Sequence, residues 1–237
     1  MSNHTIPFEI NSFDLDNFKK NINFLFKENI KRWYLRLIDL KKIDPIFFEY
    51  IEDKFKDKIS VTRLFVTPPN HFTQIHFDDW YKWALNIPIC GCDNTYNAWY
   101  KIKENINPIR YGSRDSVGKK YASNNSGAFI YNTEDIDTVL EKVILDKPML
   151  FDTTTPHNVI SGGLAKDELR VVLSVRVESM KTVLFKEIWE KNNDMVWPGN
   201  ISVYDNLREM YKIDIEELRE NREEFVYPIP NFRGDND

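Results

Sequence analysis

A chain of 237 residues with 42% hydrophobic and 14% aromatic content holds enough apolar mass for one packed domain with decorations, or at most two small ones. Its formal charge of −5 argues against a phosphate-backbone binder, whose surface would be basic, without excluding a local basic groove. Two cysteines, Cys90 and Cys92, are too few for a disulfide framework or a zinc site and fit a reducing, cytoplasmic setting; residues 1–9 carry no signal-peptide pattern, and no apolar run approaches the ~20 residues that span a bilayer.

Ser12 is a suitable cap for a helix that opens Phe13-Asp14-Leu15-Asp16, with acidic residues against its positive end. Phe18, Ile22, Leu25 and Phe26 continue it as one apolar stripe, so 13–29 reads as a helix lying on a sheet. Residues 31–40 are mixed and read as a strand. Asp44-Pro45 is an N-cap followed by proline at the first helical position, and it predicts a helix through Phe48, Ile51 and Phe55 to about Lys58.

At Ile59 the period changes. Residues 59–66 are rich in β-branched types, Pro68-Pro69-Asn70 turns the chain, and 71–78 returns as a strand. Strands are predicted at 82–90 and 96–103, joined by a turn at Asp93-Asn94. Cys90 and Cys92 would share a strand face there, poorly placed to bridge each other. Residues 104–127 are polar, contain Gly112, Gly118 and Gly127, and read as one long loop in the place of a lid or substrate loop. Short strands follow at about 128–131, 137–145, 149–152, 157–160 and 169–178, a pattern that indicates a sandwich or barrel. Residues 183–191 and 204–221 regain helical periodicity. The expected architecture is α+β, mainly β. One domain covers 1–237, with helical support over 1–58, a β core over 59–178 and a helical extension over 179–237.

Chemistry concentrates in two places. In the strand Gln74-Ile75-His76-Phe77-Asp78, alternate side chains share a face, so an imidazole stands beside a carboxylate. With one more imidazole this makes a 2-His-1-carboxylate triad, the donor set that holds Fe(II) and leaves positions open. A bare His-x-Asp also fits a strand end with a capping Asp. The chain has four histidines. His4 sits in a terminus where little order is expected, and His71 falls on the opposite strand face from His76. His157 follows a Thr-rich turn and Pro156, which suits either a third ligand or a hydrogen-bonded turn histidine. The second place is the strand after Asp167. Arg170, Val172, Ser174 and Arg176 share one face, which is either a solvated polar face or an inward one needing an anion.

The order His76-x-Asp78, then His157, then Arg170 and Ser174 resembles the Fe(II)- and 2-oxoglutarate-dependent dioxygenases. The resemblance covers roughly 59–178 and implies a double-stranded β-helix, or jelly roll. The stretch Leu150-Phe151-Asp152-Thr153 to His157-Asn158-Val159 is similar to the aspartyl/asparaginyl hydroxylase branch. The spacing Arg170, Ser174, Arg176 is similar to AlkB-type demethylases, which carry Asn where this chain has Val172. The resemblance implies that His76, Asp78 and His157 bind Fe(II). It implies that Arg170 holds the distal carboxylate of 2-oxoglutarate with help from Ser174, and that Arg176 reaches the same ligand or lies at the rim. Asn86 is either a further contact to 2-oxoglutarate or a satisfied core amide. Tyr96, Asn97, Trp99 and Tyr100 are candidates to line the pocket. The implied reaction consumes O2 and 2-oxoglutarate, releases succinate and CO2, and hydroxylates a small-molecule or peptide substrate, an amino-acid or peptide side chain being slightly favoured. The alternatives are a non-catalytic cupin-like domain that binds a metal or small acid, and an interaction module in which His76 and His157 never meet. Nothing in the sequence speaks to oligomeric state.

Overall fold

Two mainly antiparallel sheets lie at the centre of the computed structural model, which describes residues 4–10, 14–22, 34–67, 73, 75–78, 81–93, 95–111, 113–114, 120–121, 128–160, 168–181 and 195–196. The described strands are β1 (Thr5–Pro7), β2 (Tyr34–Leu37), β3 (Ile59–Thr67), β4 (Ile75–Phe77), β5 (Trp83–Cys90), β6 (Tyr96–Ile102), β7 (Ile109–Tyr111), β8 (Ser113–Arg114), β9 (Lys120–Tyr121), β10 (Ala128–Tyr131), β11 (Ile136–Val143), β12 (Met149–Asp152), β13 (His157–Ile160), β14 (Arg170–Val177) and β15 (Met195–Val196). The described α-helices are α1 (Leu15–Ile22), α2 (Leu40–Ile43) and α3 (Pro45–Phe55).

Pairing is nested. β3 pairs with β14, β4 with β13, β5 with β12 and β6 with β11, all antiparallel. The chain therefore folds back along its own path after β6. Its strands are shared between a sheet ordered β1-β12-β5-β14-β3-β2 and a sheet ordered β11-β6-β13-β4-β10-β7-β15. This is the jelly-roll, double-stranded β-helix expected from the sequence.

The helices are set by their caps. In α3, Asp44 Oδ1 accepts a hydrogen bond from Phe47 N at 2.9 Å, Pro45 occupies the first turn, and the end is marked by Lys56 in the left-handed region at φ 51°. α1 starts at Leu15, where Asp14 Oδ1 accepts from Asn17 N; Ser12 and 23–29 lie outside the described residues. Leu40, expected in a strand, instead opens α2, because Asp39 accepts from Lys42 N and turns the chain. Phe18, Ile22, Leu40, Phe47 and Ile51 of these helices cover Leu64, Val66, Leu85, Ile87, Ile89, Val171, Leu173 and Val175 on one face of the first sheet. Each such burial is worth about 1.5–3 kcal/mol. The helical layer thus fixes which face of β3, β5 and β14 looks inward. Phe65, Met149, Phe151 and Val172 occupy that inner face and pack on Trp99 and Leu145.

Two expectations need correction. Residues 104–127 are not one loop: Ile109–Tyr111 pairs with β10, and β8 pairs with β9. Cys90 and Cys92 do not share an environment. Gly91 sits at φ 62°, breaks the alternation, and leaves Cys90 exposed and Cys92 buried, with no disulfide between them. The helices predicted at 183–191 and 204–221 lie outside the described residues, as do His71 and the Pro68-Pro69-Asn70 turn. No helix among the described residues is long and apolar enough to cross a membrane.

Candidate metal centre and anion pocket

The nested pairing of β4 with β13 places His76 directly opposite His157. Their ring centroids are 4.7 Å apart and tilted by 47°. Asp78, two residues beyond His76, keeps the same facing, and its Oδ1 lies 3.9 Å from His76 Nε2. One donor atom from each of His76, Asp78 and His157 lies within 4.8 Å of the other two. Three side chains 81 positions apart at their extremes are thus gathered by one strand pair and the residue that follows it.

The local field prepares these donors. His157 is buried, and its Nδ1 donates to the Thr155 carbonyl at 2.9 Å; a carbonyl only accepts, so Nδ1 carries the proton and Nε2 keeps its lone pair. Burial, then the neighbouring His76, push its pKa down to about 4 against the opposing pull of Asp78, so the ring is neutral at pH 7. Burial alone would raise the Asp78 carboxyl. Arg176 first, then His76, His157 and Arg63, outweigh it and hold the group well below the usual carboxylate range. Arg176 Nη2 donates to Asp78 Oδ2, which leaves Oδ1 on the histidine side. Arg176 is 1% exposed, with its guanidinium 5.2 Å from the Tyr81 ring centroid, so it lies inside the fold and not at the rim.

A second buried positive group stands at the start of β14. Arg170 is 3% exposed; its Nε donates to Thr95 Oγ1 at 3.0 Å and its Nη2 to Asn97 Oδ1 at 3.3 Å. Burial, opposed by Cys92, pulls its pKa down. No carboxylate of the described residues lies within ion-pair distance of it, Glu168 included. Between the two arginines, Ser174 stands opposite Asn86 of β5 and opposite Arg63 of β3, a polar row across the inner face. Ser174 Oγ, Asn97 Nδ2, and Arg176 Nε and Nη1 are buried without a hydrogen-bond partner among the described residues. All of these can donate. A guest rich in acceptor oxygens would answer them, and the adjoining N, N, O donor set suits a divalent transition metal. The residues present therefore fit both an Fe(II) ion and a dicarboxylate.

The proposed pocket liners divide by strand parity. Asn97 and Trp99 face inward with Val159 and His157, their partners on β13. Tyr96 and Tyr100 point the other way, into a cluster with Ile75, Ala98 and Ile102, and Tyr100 donates to Asn158 Oδ1 at 2.9 Å. They belong to the outer packing, because alternation reverses the side chain at every residue. His4 is an ordered part of the fold: its carbonyl accepts from Asp152 N at 2.8 Å and its ring stacks on Trp99 at 6.1 Å. Sequence reasoning missed Thr95, Tyr81, Asp152 and Arg63. Only Arg63 carried a signal, a charge inside a β-branched strand like the one that drew attention to Arg170.

No protein-family model and no curated protein sequence matches this chain. Among solved structures it is similar to a prolyl-4-hydroxylase from Pseudomonas putida, at 11% identity and a TM-score of 0.39 over 73% of this chain and 91% of that one. It is also similar to HygX from Streptomyces hygroscopicus with nickel and 2-oxoglutarate bound, at 10% identity and a TM-score of 0.43 over 73% of this chain and 82% of that one.

Proposed function

We propose that the chain is an Fe(II)- and 2-oxoglutarate-dependent oxygenase, acting as a hydroxylase on a small molecule or on an amino-acid or peptide side chain. The observation that carries this reading is an interior shared by the two sheets, in which the His76, Asp78, His157 cluster of one sheet lies with the buried arginines of the other, among them an Arg170 that no described carboxylate answers. His76, Asp78 and His157 would hold the iron. Arg170 would take the far carboxylate of 2-oxoglutarate, where its planar fork offers parallel hydrogen bonds. Ser174 and Asn86 would flank that ligand, and Arg176 would stand at its other end beside Asp78. Iron bound there would supply the redox chemistry that activates O2 while 2-oxoglutarate is converted to succinate and CO2.

The chain's own residues do the rest. The Nδ1 proton of His157 is committed to Thr155, so the ring presents Nε2 without competition. Arg176 occupies Oδ2 of Asp78 and favours a one-oxygen contact through Oδ1. Trp99, Phe151, Phe65 and Val172 wall the interior with apolar surface and exclude water from it. A low-dielectric setting strengthens the Arg170–carboxylate attraction. The test is succinate release from protein loaded with Fe(II) and 2-oxoglutarate without oxygen and then exposed to air. Metal-dependent succinate release that is lost in His157→Ala supports the reading. Tight binding of metal and 2-oxoglutarate with no succinate would replace it with the non-catalytic binding domain.

A further inference from the structure

We propose that Asp152, which is not one of the three candidate ligands, is the positioning residue of the centre: its carboxylate holds the turn 152–157 in the shape that orients His157 and Asp78 together. This rests on the reading of His76, Asp78 and His157 as metal ligands. The carboxylate is buried, at 8% exposure, and all but one of its contacts lie within the turn. Oδ1 accepts from Thr154 N at 2.9 Å and from Thr154 Oγ1 at 2.7 Å; Oδ2 accepts from Thr155 Oγ1 at 2.6 Å and lies 3.5 Å from His4 Nδ1.

With the turn stapled in this way, its carbonyls point outward to the groups that matter. Thr153 O accepts from the backbone N of Asp78 at 2.8 Å, and Thr155 O accepts from His157 Nδ1 at 2.9 Å. Asp152 O accepts from Trp99 Nε1 at 2.8 Å, and Pro156 O accepts from Tyr100 N at 2.8 Å. Thr153 Oγ1 donates to Tyr81 O at 2.6 Å, which ties the turn to the start of the next described stretch after Asp78. One carboxylate therefore sets the ring tautomer of one candidate ligand and the backbone of another. The Nδ1–H to carbonyl bond is the device that fixes which imidazole nitrogen faces a metal. Burial opposes the charge on Asp152, but the Thr155 and Thr154 donors and His4 outweigh it and keep the carboxyl below its ordinary value. A neutral residue would not gather those donors as firmly.

The test compares wild type, Asp152→Asn, Asp152→Ala and Thr155→Val on the full chain. Imidazole 15N shifts of His157 in metal-free protein report the tautomer, and loss of the free Mn(II) resonance signal reports affinity for Mn(II) alone. Wild type should show a single Nδ1–H tautomer. Asp152→Ala should show mixed tautomers and bind Mn(II) about 10- to 100-fold more weakly, the usual cost of removing a group that orients a ligand. Asp152→Asn, which keeps the shape and one oxygen, should recover part of both. A folded Asp152→Ala protein with an unchanged tautomer and unchanged Mn(II) affinity overturns the proposal. If Asp152→Ala does not fold, Thr155→Val decides, and wild-type behaviour there overturns it equally. Failure of wild type to bind Mn(II) would sink the metal reading instead, while the tautomer comparison still settles the role of Asp152.

Discussion

Replacing Arg170 with methionine separates an anion anchor from a structural ion pair, because the two predict opposite effects in the ligand-free protein. Arg170 is 3% exposed, and its contacts are two neutral oxygens, Thr95 Oγ1 and Asn97 Oδ1. Methionine of similar reach removes the desolvated charge, a change that is neutral or favourable by up to about 4 kcal/mol where charges have been replaced by packing. It also leaves the Asn97 oxygen without a donor, at about 1–3 kcal/mol. The two nearly cancel, so ligand-free Arg170→Met should unfold within about 2 kcal/mol of wild type. Binding should behave differently. Loss of one partner of a buried charge pair costs about 2–5 kcal/mol, or roughly 30-fold or more in the 2-oxoglutarate Kd. At a ligand concentration of about 100 wild-type Kd, the stabilisation by 2-oxoglutarate should fall from about 2.7 kcal/mol to about 1 kcal/mol or less. Chemical unfolding with Mn(II) present, with and without 2-oxoglutarate, measures both numbers, and calorimetry measures the Kd directly. An Arg170→Met protein that loses several kcal/mol without ligand yet binds 2-oxoglutarate normally would refute the anchor and leave Arg176 as the remaining candidate.

Arg176→Met should act in the reverse way. It strands the Asp78 carboxylate, destabilises the metal-free protein by about 3–5 kcal/mol, and makes the stabilisation by Mn(II) larger than in wild type; an equal or smaller Mn(II) effect in denaturant melts would contradict the pairing. The pH dependence follows from His157. Its folded pKa of about 4 lies below the ordinary 6.5, so the unfolded chain binds the extra proton between those values; stability is complete above pH 6.5 and is lost as pH falls. The loss is roughly 2 kcal/mol by pH 5 and about 3 kcal/mol by pH 4, and His157→Gln should flatten a urea-midpoint profile that wild type shows. Gly91→Ala should destabilise by more than the ~1–2 kcal/mol of the left-handed backbone alone, because the new Cβ would lie 2.1 Å from Leu169 O. That clash moves the start of β14, so the 2-oxoglutarate Kd should rise together with the loss in unfolding free energy; a stable Gly91→Ala protein with wild-type binding would show that β14 is not braced there.

Much of this was legible because burial writes a period into the chain. The run Arg170-Val171-Val172-Leu173-Ser174-Val175-Arg176 alternates cleanly, and Val171, Leu173 and Val175 do pack under the helices while the polar set faces inward. Asp44-Pro45 marked α3 for the same local reason that it caps it. Alternation does not say which face is inside, however: Tyr96 and Tyr100 are candidates for the pocket by sequence, and the register with β13 turns them out. Nor does it foresee a break in parity, such as Gly91 between the two cysteines or the register shifts of β11 against β6. The nested pairing that brings His76 to His157 is a long-range property of the fold. Asp152 and Thr95 gave no sequence signal because short polar residues beside a turn are common, and their importance lies in partners far along the chain.

The most direct measurement is a crystal structure grown without oxygen in the presence of Mn(II) and 2-oxoglutarate. The expected density is a metal at about 2.0–2.2 Å from His76 Nε2, Asp78 Oδ1 and His157 Nε2, with the far carboxylate of 2-oxoglutarate bridged by Arg170 and Ser174. A metal bound elsewhere, or an Arg170 side chain that meets no carboxylate in crystals saturated with 2-oxoglutarate, would contradict it.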